Sequence, residues 1–88
     1  MYTIYSKPGC PHCDNAMALL ESLDIEYIKL VLDVGQEKDM LTEYYTVDML
    51  RARVPNARTV PQIFEGENLV GGFEALKMHL SNKGHGSH

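Results

Sequence analysis

The chain is built around the stretch Ser6-Lys7-Pro8-Gly9-Cys10-Pro11-His12-Cys13, which contains both of its cysteines. The preceding segment, residues 2–5, is rich in β-branched and aromatic residues, which is typical of a buried strand. Pro8 and Gly9 break that strand, and Pro11 suits the first position of a helix, where no backbone N–H is needed. The stretch therefore predicts a strand-to-helix turn with two thiols at the start of the helix.

The residues that follow this turn predict a strand–helix–strand unit. Apolar residues recur at helical spacing and would give the first helix one apolar face. These residues are Ala16, Leu19, Leu20 and Leu23. Segment 25–32 is mostly apolar and has the length of a strand. Because a helix separates the two strands, we expect them to run parallel.

The middle of the chain predicts one long second helix. Its larger apolar residues are separated by four, three, three and four positions, as on one helical face. They are Met40, Tyr44, Val47, Leu50 and Val54. Thr46 is a residue that can break or re-cap this helix, and Pro55-Asn56 ends it.

The last third predicts a hairpin and a final helix. Segments 61–64 and 68–70 read as short strands joined by a turn at Gly66. Gly71-Gly72 is a second break, after which Phe73, Leu76 and Leu80 outline a helix. The predicted order is β-α-β-α-β-β-α, of the α/β class. We expect one domain over residues 1–82 and a flexible tail over 83–88.

Composition limits the classes of function. A net charge of −4 without a basic run argues against nucleic acid as a partner, and no apolar stretch is long enough to span a membrane. The first strand begins directly after Met1, which leaves no room for a signal peptide, so we expect a cytoplasmic protein. Two cysteines in that compartment are usually catalytic or metal-binding. We expect a monomer.

Three motifs together resemble the glutaredoxins of the thioredoxin superfamily. They are Cys10-Pro11-His12-Cys13, Thr59-Val60-Pro61 and Gly71-Gly72-Phe73-Glu74. The resemblance runs nearly end to end and implies a thioredoxin fold, with a four-stranded mixed sheet flanked by three helices. It also implies a glutathione-dependent thiol–disulfide oxidoreductase that reduces protein disulfides or glutathione mixed disulfides.

Two features depart from the usual glutaredoxin pattern. Most dithiol glutaredoxins have Tyr where this chain has His12, and the tetrad Cys-Pro-His-Cys is that of the strongly oxidising DsbA proteins. Segment 33–55 is longer than usual, which is similar to bacteriophage glutaredoxins that donate electrons to ribonucleotide reductase. That similarity makes ribonucleotide reductase a candidate partner, and the host cytoplasm the expected location if the protein is phage-encoded.

The cysteine pair has the arrangement of a thiol–disulfide exchange site. Cys10 lies at the expected helix N-terminus, where free N–H groups and the helix dipole favour a thiolate, so it is the predicted nucleophile. Cys13 lies one turn inside the helix and is the predicted resolving thiol. His12 can donate an N–H to the Cys10 sulfur, and Lys7 can add a longer-range positive field. We expect His12 to make the site more oxidising.

The resemblance implies that the Val60–Pro61 peptide bond is cis and faces the cysteines. The Val60 N–H and C=O would then pair with glutathione as an added strand, with Thr59 beside them. From the residues alone, Pro61 can equally be the start of an edge strand.

Glutathione carries two carboxylates and an amine, so its site needs donors and an acceptor. The helix start at Gly72 and Phe73 would bind the γ-glutamyl carboxylate, and Glu74 would pair with the amine. Glu74 is also a normal first-turn residue of a helix. Lys7 and Arg58 are the expected cations for the glycyl carboxylate. The nearby arginines at 51 and 53 can equally be solvated surface residues.

Two other functions compete with this one. The protein can be a thioredoxin-like donor that a flavoprotein reductase reduces, or a carrier of an iron–sulfur cluster or another metal. A zinc site normally needs four ligands, of which Cys10 and Cys13 supply two, and Pro11 within the tetrad generally accompanies redox activity. We therefore expect glutathione as co-substrate and no metal.

Overall fold

The computed structural model describes residues 1–82 as five strands and three helices. The strands are β1 (Tyr2–Ser6), β2 (Tyr27–Leu32), β3 (Glu43–Tyr45), β4 (Gln62–Glu65) and β5 (Asn68–Gly71). The helices are α1 (Pro11–Ser22), α2 (Val47–Arg53) and α3 (Phe73–Asn82). The predicted flexible tail, residues 83–88, lies outside the described residues.

The strands form a single mixed sheet in the order β3-β2-β1-β4-β5. β1 pairs with β2 in parallel and with β4 in antiparallel orientation. β2 and β3 are parallel, and β4 and β5 are antiparallel. β1 is therefore the central strand, and its carboxyl end delivers the chain to the cysteine turn. The predicted α/β class and its mixed sheet with three helices are confirmed, although the sheet has five strands where four were expected.

The prediction of one long helix over 40–54 was wrong. Residues 43–45 form β3, and Thr46 begins a shorter helix by accepting the Met49 N–H with its hydroxyl at 3.2 Å. Side chains of the sequence Glu-Tyr-Tyr suit a strand, and a threonine cap followed by an acidic residue starts a helix. The apolar residues between 40 and 54 have helical spacing although they belong to a turn, a strand and a helix. The spacing is a coincidence, because Met40 is fully exposed and does not contribute to a buried helical face.

Two apolar clusters form the core, one on each face of the sheet. The first packs Ile4 and Ile63 against α1 and α3, and it includes Cys13. The second packs the next residues along the same strands, Tyr5 and Phe64, against α2 and β3. Successive residues of a strand point to opposite faces, which explains this division. Val60 is partly buried and packs against both clusters.

The helices of the described segment are short, and none of those in residues 1–82 is long and apolar enough to cross a membrane.

Candidate active site

Cys10 and Cys13 form a disulfide at the start of α1, with their Cα atoms 5.3 Å apart. Cys10 is the N-cap residue, and Pro11 occupies the beginning of the helix, as predicted. The Cys10 sulfur accepts the backbone N–H of Cys13 at 3.2 Å. Cys10 is 5% exposed and Cys13 1% exposed, so Cys10 is the more accessible of the two residues. This geometry suits attack by Cys10 and resolution by Cys13, because a helix N-terminus favours negative charge.

The backbone before Cys10 is held by the two strands beyond β1. The Tyr45 hydroxyl donates to the Ser6 carbonyl at 2.8 Å, and the Ser6 hydroxyl donates to the Leu30 carbonyl at 2.8 Å. Burial, together with the neighbouring Tyr5, raises the pKa of Tyr45 to about 12. Tyr45 was missed by the sequence reasoning, which placed it in a helix. The pair Tyr44-Tyr45 directly before a capping threonine is the signal that would have indicated a strand.

The Val60–Pro61 peptide bond is cis and lies beside the cysteines, as the resemblance implied. The Val60 carbonyl oxygen is 3.8 Å from the Cys10 sulfur. Pro61 is buried, and Gly72 is close behind it, since a Cβ placed on Gly72 would lie 3.7 Å from the Pro61 carbonyl oxygen. This loop therefore puts backbone polar groups within reach of a molecule bound to Cys10.

A groove of about 190 Å³ opens next to this loop and gathers four of the predicted binding residues. Its lining contains Lys7, Arg58, Thr59 and Val60, together with Arg51 from α2. The rest of the lining is apolar apart from the Tyr45 hydroxyl: Leu32, Tyr45, Val47, Leu50 and Ala57. We name this space the basic groove.

The basic groove is positively charged in a protein whose net charge is negative. Lys7, Arg51 and Arg58 line it, and no acidic residue does. Over residues 1–82, none of these three cations makes an ion pair. An organic anion is the ligand that such a groove favours.

Gly72, Phe73 and Glu74 lie apart from the basic groove, at the start of α3. The Gly72 carbonyl accepts the Leu76 N–H at 2.9 Å, which begins the helix. The Glu74 carboxylate pairs with Lys77 at 3.1 Å, and both side chains are largely in solvent. The predicted binding residues therefore divide into two sets, one on each side of the Val60–Pro61 loop.

His12 is exposed and faces the start of α3. Its ring centroid lies 6.4 Å from that of Phe73. In the described part of the chain, no hydrogen bond joins His12 to the Cys10 sulfur, whose donor is the Cys13 backbone. Any influence of His12 on this oxidised form therefore acts through its charge.

The two arginines of α2 have different positions. Arg51 lines the basic groove. Arg53 instead stacks on Phe64, with its guanidinium carbon 3.8 Å from the ring centroid, and donates to the Tyr5 hydroxyl at 3.1 Å. Arg53 thus covers the second apolar cluster, and Arg51 is the one available for a ligand.

Metal ligands are sparse around the cysteine pair. Among residues 1–82, no group of three or more His, Cys, Asp or Glu side chains is placed to hold a metal ion.

Comparisons of the sequence and of the structure with known proteins agree on one family. The glutaredoxin family model matches residues 2–70. A glutaredoxin of Neisseria meningitidis is 35% identical over 75 residues, which cover 84% of this chain and 78% of that protein. A buckwheat glutaredoxin solved in complex with glutathione is 28% identical, with a TM-score of 0.67, and the match covers 96% of this chain and 70% of that one.

Some relatives are much longer than this chain. A hybrid peroxiredoxin of Haemophilus influenzae is 32% identical over 79 residues, which are 90% of this chain but 29% of that protein. The shared part is the region that contains the cysteine pair and the cis-proline loop.

Proposed function

Because this chain belongs to the glutaredoxin family of thiol–disulfide oxidoreductases, we propose that it reduces disulfides with electrons from glutathione. The observation that carries the proposal is the basic groove, which Lys7, Arg51 and Arg58 line without an acidic neighbour. Val60 also lines this groove, and its carbonyl oxygen is 3.8 Å from the Cys10 sulfur. Glutathione has two carboxylates and one amine, so it is an anion overall. Its glycyl carboxylate is the group that these cations would bind.

The other end of glutathione would lie against the start of α3. Free backbone N–H groups at Gly72 and Phe73 would receive the γ-glutamyl carboxylate. Glu74 would receive the amine, in competition with its present partner Lys77. Between the two ends, the Val60 backbone would pair with the ligand as an added strand, which places the glutathione sulfur near Cys10.

Disulfide reduction would proceed by two thiolate attacks. The Cys10 thiolate attacks one substrate sulfur, the other substrate sulfur leaves as a thiol, and the attacked sulfur stays on Cys10 as a mixed disulfide. The Cys13 thiolate then attacks the Cys10 sulfur, and the substrate sulfur that was bound to Cys10 leaves as a thiol. Two electrons have passed to the substrate, and the Cys10–Cys13 disulfide remains. Two glutathione molecules reduce that disulfide and leave together as glutathione disulfide.

Protein disulfides and glutathione mixed disulfides are the proposed substrates. Ribonucleotide reductase is one candidate, by the similarity of segment 33–55 to phage glutaredoxins. We also propose that the protein is a cytoplasmic monomer with no resident metal.

A pair of double variants tests the glutathione site. We expect Lys7→Ala with Arg58→Ala to lower kcat/KM by at least about tenfold for a mixed disulfide of glutathione and cysteamine, because the loss of a single charged contact of about 1.5 kcal/mol already corresponds to that factor. Lys29→Ala with Lys38→Ala removes the same charge outside the basic groove and should leave the rate unchanged. Equal rates in both double variants would remove Lys7 and Arg58 from the site.

The identity of the reductant is tested separately. Turnover coupled to glutathione and glutathione reductase is compared with turnover coupled to a thioredoxin reductase. Faster reduction by the flavoprotein would favour the thioredoxin-like function. A visible absorption band after anaerobic purification would favour a cluster carrier.

A further inference from the structure

Two large apolar side chains stand in water at a turn between β2 and β3. Met40 is 100% exposed and Leu41 is 95% exposed. Isolated apolar residues at a surface are ordinary, but adjacent ones exposed to this degree are the kind of group that a partner buries.

The turn that presents these side chains is held by hydrogen bonds. The Asp39 carboxylate accepts the Leu41 N–H at 2.8 Å and the Thr42 hydroxyl at 3.2 Å. The Asp39 N–H donates to the Tyr44 hydroxyl at 3.0 Å, which ties the turn to β3. Because the turn is already ordered, a partner would bind it at a smaller entropic cost than a flexible loop.

A second groove runs from this turn to the loop before Cys10. It encloses about 360 Å³, with Asp39, Thr42 and Tyr44 at one end and Pro8 and Gly9 at the other. The wall between them consists of Asp14, Met17, Lys29, Val31 and Gln36, with Ser6 and Lys7 beside the loop. Lys7 is the one residue that this groove shares with the basic groove.

The surroundings of the turn are mainly acidic. Within residues 1–82, Asp14, Glu37, Asp39 and Glu43 make no ion pair, whereas Asp33 is paired with Lys38 at 3.0 Å. Lys29 and Lys7 are the cations of the groove wall. The groove lining is balanced in charge, with two acidic residues and two lysines. Segment 33–43 holds four acidic residues and one lysine, a net charge of −3, so the turn that carries Met40 and Leu41 is negative and complementary to a basic segment.

We propose that the 39–42 turn and the groove beside it are the docking surface for protein substrates. The segment recognised has apolar side chains that cover Met40 and Leu41, and Lys or Arg residues that face the acidic groups. This proposal rests on the proposed function, because the docked segment brings its disulfide to Cys10. Glutathione would occupy the basic groove, which shares only Lys7 with this second groove, so the two reactants would have largely separate surfaces.

The test compares two substrates of the same length. Each is a cysteine peptide joined to glutathione by a disulfide, one with Arg and Leu around the cysteine and one with Glu and Ser. We expect the wild type to prefer the basic peptide by about tenfold in kcat/KM, a difference of about 1.4 kcal/mol. The preference should shrink at high salt, since exposed charges are screened.

Surface variants locate the effect. We expect Met40→Ser with Leu41→Ser to lower kcat/KM for the basic peptide by about tenfold, as for a small binding hot spot, and to leave the glutathione–cysteamine disulfide unchanged. Leu69→Ser with Met78→Ser removes two other exposed apolar side chains and should change neither rate. Glu37→Gln with Glu43→Gln should weaken the basic peptide alone.

Three results would overturn the docking surface: equal rates for the two peptides, an unchanged rate in the Met40/Leu41 variant, or self-association of the wild type that this variant abolishes. The last result would assign the turn to a second copy of the chain. Failure of the wild type on glutathione–cysteamine would instead overturn the proposed function. In that case, titration of the basic peptide with Ser in place of Cys, followed by NMR at Met40 and Leu41, decides the docking surface by itself.

Discussion

His12 lies two residues after Cys10, in the first turn of α1. It is exposed at the start of α1, with its ring turned toward Phe73 and away from any hydrogen bond to the sulfur within the described residues. The hypothesis that His12 makes the site more oxidising therefore depends on its charge and on the reduced form.

We expect His12→Tyr to lower the reduction potential of the Cys10–Cys13 pair by roughly 30–60 mV. Each unit by which the Cys10 pKa falls stabilises the reduced form by about 1.4 kcal/mol, or about 30 mV for two electrons. The measurement is equilibration of both proteins in glutathione buffers. His12→Gln is the control that removes the charge without adding a phenol ring. An unchanged or higher potential in the Tyr variant would exclude the hypothesis.

Tyr45 holds the carboxyl end of β1 through its hydroxyl group, and substitution by Phe removes that group without changing the ring. We expect Tyr45→Phe to lower the free energy of unfolding by about 1–1.5 kcal/mol, because the buried hydrogen bond to the Ser6 carbonyl is lost. Tyr44→Phe removes a hydroxyl whose contact is at the surface, and should cost less. Urea denaturation of both variants measures the difference. A larger effect at Tyr44 would contradict this role for Tyr45.

The proximity of four proposed site residues could be predicted where a motif carried them. Lys7, Arg58, Thr59 and Val60 meet in one groove because two motifs flank it. The role of Arg51 could not be separated from that of Arg53 by sequence, since which α2 side chain faces the groove depends on how the helix packs on the sheet.

The region between β2 and α2 marks the limit of prediction from periodicity. The strands and helices near the cysteines were predicted, because each has an apolar pattern bounded by Gly, Pro or a capping residue. β3 has only three residues, which is too short for an alternating pattern to be recognised. Its apolar spacing continued into α2, so the capping residue Thr46, with Tyr44 and Tyr45 before it, was the local sign that one element ends and another begins.

The junction between β5 and α3 contains two adjacent glycines that should differ in how well they tolerate substitution by Ala. Gly71 has a φ of +123°, and a Cβ there would lie 2.8 Å from the Ala75 Cβ. Gly72 has no such restriction, and its added Cβ would meet the Pro61 carbonyl at an ordinary 3.7 Å. We therefore expect Gly71→Ala to cost about 1–3 kcal/mol of folding free energy and Gly72→Ala less than that. Thermal unfolding measures both, and equal losses would contradict the structural difference.

The stability of the complete fold should decline in alkali. Burial raises the pKa of Tyr45 to about 12, and burial with the Glu21 carboxylate does the same for Tyr27. Above pH 10 the unfolded chain loses these protons while the folded chain keeps them, so stability is full below pH 10 and decreases up to pH 12. For Tyr45 the slope is about 1.4 kcal/mol per pH unit.

Unfolding in urea at a series of pH values between 9 and 12 measures this decline. Tyr45→Phe should flatten the slope, although it lowers stability at neutral pH. A wild type whose stability is constant over this interval would contradict the prediction.

Val60 has a consequence for how this sequence can evolve. Because the two apolar clusters lie on opposite faces of the sheet, a substitution in one should leave the other intact, and paired changes such as Leu20→Ala and Leu50→Ala should have additive costs. Each face of the sheet can then accumulate substitutions independently of the other. Val60 packs against both clusters and lies beside Cys10. A substitution at Val60 would therefore alter the packing on both faces of the sheet and the surroundings of the Cys10 sulfur at the same time.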